Sequence, residues 1–171
     1  MATTYKILDK NILTSNQTSI TFSNVNTYAT DYTDLLVKLS VRSNRSGTPY
    51  EDITIQFNGS TANFTTKVIQ GSGSGVSSFN SNNFIGQLDT SANTSNTFTS
   101  AEIYIPNFSS SNYKSFSADS TQEENGTTAY SNLVAGLWSN TAAITSISFV
   151  PGSANSFVTG SSFYLYGIKN S

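Results

Sequence analysis

The side chains in this chain that could do chemistry are few, and most are carboxylates. There is no histidine and no cysteine. Their lack removes the serine–histidine triad, the cysteine–histidine dyad, histidine- or thiolate-held zinc and any disulfide framework. Three acidic pairs remain: Asp31 with Asp34, Glu51 with Asp52, and Glu123 with Glu124 near Asp119. A glycosidase would hold two such groups roughly 5–10 Å apart across a cleft. Each pair instead sits beside turn-forming residues, where acids are ordinarily solvated, so all three are expected to be surface charge. Asp89-Thr90-Ser91 lacks the glycine of an aspartic-protease triplet and has no second copy. The glycines at 71, 73 and 75 are followed by Val76-Ser77-Ser78-Phe79, with neither the lysine nor the helix start of a phosphate-cradling loop. No acidic run has the spacing of a dedicated calcium loop. The sequence therefore points to no catalytic residue, no metal ligand and no cofactor.

Aromatic side chains are the better candidates for contact, because they present large rigid area at low entropic cost. Trp138 lies in the densest apolar run and is expected to be buried. Tyr5, Tyr28, Tyr32, Tyr50 and Tyr113 lie in loops or near strand ends and are the expected partner-contact residues. The Asn-x-Ser/Thr triplets at Asn16 and Asn125 follow from a composition rich in those residues and are not expected to carry glycans.

The elements that must position these groups are strands. Residues 133–138 are apolar at successive positions, which predicts a strand covered on both faces. Residues 144–150 alternate up to Pro151-Gly152 and predict a second strand beside it in the same sheet. Further strands are expected at 4–8, 19–22, 34–42, 53–57, 64–70, 84–88, 98–106, 113–120 and 162–168, with a turn at 9–11. The Asn58-Gly59 dipeptide predicts a hairpin joining 53–57 to 64–70. Residues 98–106 and 113–120 are expected to pair. The Gly/Ser/Asn-rich stretch 71–83 predicts an exposed mobile loop. No segment has a helical period. Short strands separated by Gly, Asn, Ser and Pro turns call for an all-β fold, an antiparallel β-sandwich of jelly-roll type, with an immunoglobulin-like sandwich as the alternative.

With 171 residues the chain fits a single β-sandwich domain, 1–171, with residues 1–10 as an N-terminal arm. It is long enough to bury roughly 70% of the surface its unfolded form exposes. Eight basic against ten acidic residues give a net charge of −2, which argues against nucleic acid as a partner. No apolar run reaches the length of a membrane span, and residues 1–10 lack the apolar core of a signal peptide.

The opening Met1-Ala2-Thr3-Thr4-Tyr5-Lys6, residues 19–23, the turn Asn58-Gly59-Ser60 with Asn63-Phe64, residues 135–144, and the ending Leu165-Tyr166-Gly167-Ile168 resemble virion structural proteins of tailed bacteriophages, especially those of aquatic bacteria and cyanobacteria. Together they span nearly the whole chain, although each is a structural run and none is a site signature. Ser60 stands where that family usually has an acidic residue, which removes the basis for an ion at this turn. The resemblance implies a non-enzymatic β-domain on the outside of a particle, made in the bacterial host cytoplasm. Of such roles, a capsid decoration or cement protein is expected first, a homotrimer seated on the major capsid protein. A tail or tail-fibre accessory protein touching the host surface is the alternative, and a carbohydrate-binding module with a host-surface glycan as partner is the third.

Overall fold

The computed structural model describes residues 4–126 and 129–170; the first three residues of the expected arm and Thr127 of the triplet at Asn125 lie outside these. Period-two alternation, cut by turns, builds twelve strands: β1 (Tyr5–Ile12), β2 (Ile20–Ser23), β3 (Asp34–Val41), β4 (Glu51–Phe57), β5 (Phe64–Gly71), β6 (Val76–Ser81), β7 (Phe84–Leu88), β8 (Thr99–Ile105), β9 (Lys114–Glu123), β10 (Ala129–Trp138), β11 (Ser146–Pro151) and β12 (Ser162–Ile168). A short 3-10 turn, Val25–Tyr28, precedes β3. Among the described residues, all but one of the non-glycine residues at positive φ are asparagines. Asn tolerates these left-handed turn positions better than other side chains.

The strands form two antiparallel sheets, one ordered β1-β12-β3-β8-β9-β10-β5-β6 and the other β2-β11-β4-β7. Pairing runs from the chain ends inward: β1 with β12, β2 with β11, β3 with β8 and β4 with β7. That is one long hairpin rolled over itself, and the architecture is the expected jelly-roll sandwich. Two hairpins are inserted in the roll, β5–β6 between β4 and β7 and β9–β10 between β8 and β11. Both add to the β8 side of the larger sheet, doubling its width. Between the sheets lies one apolar core, in which Leu35, Val37, Ile53, Ile55, Phe57, Ile103, Phe149, Phe157, Phe163 and Leu165 have no exposed surface.

Several sequence expectations change. The strand at 4–8 does not turn at 9–11; β1 continues to Ile12 through a bulge between Ile7 and Asp9. Asn58-Gly59 does not make a hairpin: β4 pairs with β7 and β11, while β5 lies in the other sheet between β10 and β6. The Asn58 side chain explains this, because it binds a distant segment instead. Its Oδ1 accepts from the N–H groups of Thr145 (2.7 Å) and Ser146 (3.2 Å), and its Nδ2 donates to Ala143 O (2.9 Å). The turn thus hands the chain from one sheet to the other. Residues 71–83 are not a loop; they contain β6, paired along its length with β5. Finally, β10 and β11 belong to different sheets, and β10 is covered on one face only. Trp138 is 1% exposed, as expected, but Leu133 is 60% exposed.

Candidate binding face

The outward-facing residues of β10 lie in the register of the large sheet. Leu133 stands opposite Asp119 of β9 on one side and Ile69 of β5 on the other; Ala135 stands opposite Ser117 and Lys67. Leu133 and Ile69 are therefore cross-strand neighbours, 60% and 55% exposed, beside Lys67, Ser78, Ser117, Asp119 and Ala135 on the outer face of the sheet. Two large aliphatic side chains placed side by side in water are unfavourable by the ordinary cost of apolar exposure. Around them the sheet forms a groove of about 740 Å³ lined by Lys67, Ile69, Asn80, Ser117, Asp119 and Leu133, among others. Its polar rim is fixed on one side, where Lys67 Nζ donates to Asn80 Oδ1 (2.7 Å). On the other side partial burial pushes the Asp119 carboxyl above its usual range, an effect added to by Glu102 and opposed by Lys38.

Beneath the groove the inner face of the same strands changes character along their length. At one end Trp138, Phe64, Phe116 and Phe57 form a cluster of stacked and edge-to-face rings with centroids 5.4–6.4 Å apart. At the other end amides replace rings. Gln70 Nε2 donates to Gln87 Oε1 (3.0 Å) and Asn132 Oδ1 (2.9 Å), Asn132 Nδ2 donates to Ser120 Oγ (3.2 Å), and Gln122 Nε2 donates to Asp89 Oδ1 (2.9 Å). Burial raises the Asp89 pKa, against the Gln122 hydrogen bond and the Arg42 charge. This network ties β5, β9 and β10 to β7 beneath the groove.

The acidic pairs are not simply surface charge. Asp34 is buried, and its carboxylate accepts from the Tyr104 hydroxyl (2.5 Å), Asn107 N–H (2.9 Å) and Asn170 Nδ2 (2.5 Å). Glu51 is buried and accepts from Ser153 N–H (2.9 Å) and Asn155 Nδ2 (2.8 Å), leaving Oε2 without a partner. Glu124 accepts from Thr94 N–H (3.2 Å). Loop backbones with no strand to pair with need acceptors, and these carboxylates supply them. Asp31, Glu123 and Asp119 remain exposed. Among the described residues no three of Asp, Glu, His and Cys converge as a metal site.

The five tyrosines do not form one surface. Tyr5 is 47% exposed on β1 and stacks on Tyr166 at 4.8 Å. Tyr28 is half-buried, its hydroxyl donating to Leu8 O (3.4 Å). Tyr32 is 6% exposed and lies over Gly167. Tyr50 meets Tyr130 edge to face, and Tyr113 is exposed in the turn before β9. The groove residues Leu133 and Ile69 were not among the sequence candidates. The available signal was the two-faced apolar pattern at 133–138, which has a second explanation besides double burial: an outer face kept apolar for a partner. Compared with known proteins, the chain matches no family model, no curated protein and no solved structure.

Proposed function

We propose that this chain is a non-enzymatic structural protein of a tailed-phage virion, a decoration protein on the outside of the head that docks on the major capsid protein and on copies of itself. The observation that carries the docking part is the Leu133–Ile69 pair, held on the solvent face of a rigid sheet within a groove whose rim offers one cation and one carboxylate. The virion part rests on the sequence resemblance. A rigid jelly roll suits the task, because a face built on strands keeps its shape without the partner. An apolar centre with a polar rim is the anatomy of a protein interface, and the one aromatic residue lining the groove, Phe79, packs edge to face on Phe84.

Purified chain added to particles stripped of it tests the reading. The expected result is saturable binding at hundreds of copies per particle, lost in Leu133→Asp and Ile69→Asp variants that keep their circular dichroism and melting temperature. Binding at only a few or a dozen copies would move the protein to the tail. Hydrolysis of a capsule polysaccharide by the pure chain would end the non-enzymatic reading.

A further inference from the structure

A sheet edge presents unpaired N–H and C=O groups, and natural proteins guard such edges with charge, proline, bulges, shortness or cover. Three of the four edges here are guarded. β1 carries Lys6, Asp9 and Lys10 and is interrupted by its bulge. β2 is four residues long. β7 is buried along its whole length and shifts register against β4. The fourth edge, β6, has none of these protections. Its sequence Val76-Ser77-Ser78-Phe79-Asn80-Ser81 contains no charge and no proline, its register with β5 is unbroken, and Val76 is 79% exposed. Among the described residues its only strand partner is β5.

We propose that β6 pairs antiparallel with β6 of a second copy, about a two-fold axis normal to the sheet at Ser78. The hairpin fixes which groups are free. Ser72 N–H donates to Gly75 O (3.0 Å), so these two residues form a hydrogen-bonded pair, and alternation turns the backbone groups of Ser77, Phe79 and Ser81 toward β5. Those of Val76, Ser78 and Asn80 point away from the molecule. A two-fold normal to the sheet keeps each face continuous, so only residues of the same parity can stand opposite each other. Ser78 opposite Ser78 and Val76 opposite Asn80 satisfies both conditions and allows about six inter-chain hydrogen bonds.

A second β6 fits better than β1 of another copy. β6 is uncharged, so like meets like without repulsion, whereas the bulge in β1 would break the added ladder. The pairing also sets the two Leu133–Ile69 grooves side by side on one continuous sheet. It is a two-fold contact and yields dimers, separate from any three-fold clustering on a shell, and it does not depend on the virion reading.

Size-exclusion chromatography with light scattering on the full chain, over a wide dilution series, tests the proposal. We expect a dimer, weakened about tenfold or more by Ser78→Pro, which deletes an outward N–H, and by Ser78→Lys, which sets two ammonium groups across the axis. Circular dichroism confirms that each variant is folded, and Ser78→Lys serves if the proline variant is not. Because the chain has no cysteine, Ser78→Cys gives a direct readout. Paired Cα atoms about 5.5 Å apart are within disulfide reach, so oxidation links two copies, while Ser100→Cys on β8 stays unlinked. A chain that is monomeric throughout, which would leave β6 to a strand from another protein, overturns the proposal. So does a trimer, or a dimer that neither Ser78 substitution weakens and Ser78→Cys does not cross-link.

Discussion

The rolled half of the large sheet, β1-β12-β3-β8, and its extension, β9-β10-β5-β6, obey the same alternation but solve burial differently. The rolled half faces the smaller sheet, and its inner positions are mostly aliphatic or aromatic, Val37, Leu39, Ile103, Phe163 and Leu165 among them. The extension meets that sheet only along β7 and the end of β4. β7 tucks against β9, where a Cβ on Gly86 would collide with Ser120. Around it, the inner face passes from a ring cluster at Trp138, which Phe57 of β4 joins, to an amide network at Asn132, which Gln87 of β7 joins through Gln70. The extension thus meets the smaller sheet through rings at one end and amides at the other. The outer faces differ too: the rolled half carries the Tyr5–Tyr166 stack and the Lys38–Glu102 ion pair, whereas the extension carries the exposed Leu133–Ile69 pair.

The largest effect is expected from removing the largest ring of the extension. Trp138→Ala removes the largest member of the cluster in which β5, β9 and β10 meet Phe57 of β4, and we expect a loss of about 3–5 kcal/mol. Leu165→Ala, in the rolled half, should cost about 2–5 kcal/mol. Chemical denaturation of both gives the result. A tryptophan substitution that cost less than the leucine one would mean that the extension does not depend on its rings.

One device is common to both halves and should respond alike. Gly136 stands directly opposite Phe116, whose ring lies flat on it, and Gly167 lies beneath the ring of Tyr32. A Cβ at either glycine would enter the ring above it. Gly136→Ala and Gly167→Ala should each cost about 1–3 kcal/mol through forced displacement of those rings. The Tyr32 stack also explains why a tyrosine expected at a contact surface is buried: it fills the space a glycine leaves on β12.

The amide network should show a smaller effect of different origin. Asn132→Ala leaves Gln70 and Ser120 short of partners in a buried site, and a cost of about 1–3 kcal/mol follows from stranding them. The network also predicts the direction of the pH dependence. Burial raises the pKa of Asp89 and of Asp52 in the folded chain. A carboxyl whose folded pKa exceeds its unfolded one binds a proton more readily when folded. Its contribution is therefore largest below the ordinary carboxylate pKa and falls as pH rises through the folded value. The melting temperature should rise between neutral and mildly acidic pH, and Asp89→Asn, which keeps an oxygen for Gln122, should flatten part of that slope. A melting temperature that climbs with pH across this window would contradict the assignment.

What the sequence disclosed, and what it hid, follows the same division. The strands of the roll were legible because period-two alternation at 34–42, 53–57 and 162–168 reports one buried face, and the succession of short strands separated by Asn, Gly, Ser and Pro turns pointed to a jelly roll. Sheet membership was hidden, because Asn58-Gly59 has the chemistry of a hairpin turn, and only the contacts of Asn58 with residues 143–146 show that it is a crossover. β6 was hidden for a compositional reason: a Gly/Ser-rich strand looks like a linker unless the ladder it joins is known. The buried carboxylates were hidden because their partners, loop N–H groups and the side chains of Tyr104, Asn155 and Asn170, are distant in sequence and leave no pattern around the acids.

The smallest expected effect is the most informative about function. Leu133 and Val134 are adjacent in the chain and lie on opposite faces of β10, 60% and 4% exposed. Val134→Ser puts a hydroxyl among core side chains and removes buried methyl groups, so it should cost about 1–3 kcal/mol. Leu133→Ser touches only the groove and should stay within about 0.5 kcal/mol of the parent, because surface changes away from caps and networks have little effect on the folded chain. If the exposed leucine were kept for stability, the two substitutions would cost alike. If it is kept for a partner, Leu133→Ser leaves the melting curve where it was and shows its cost only in docking.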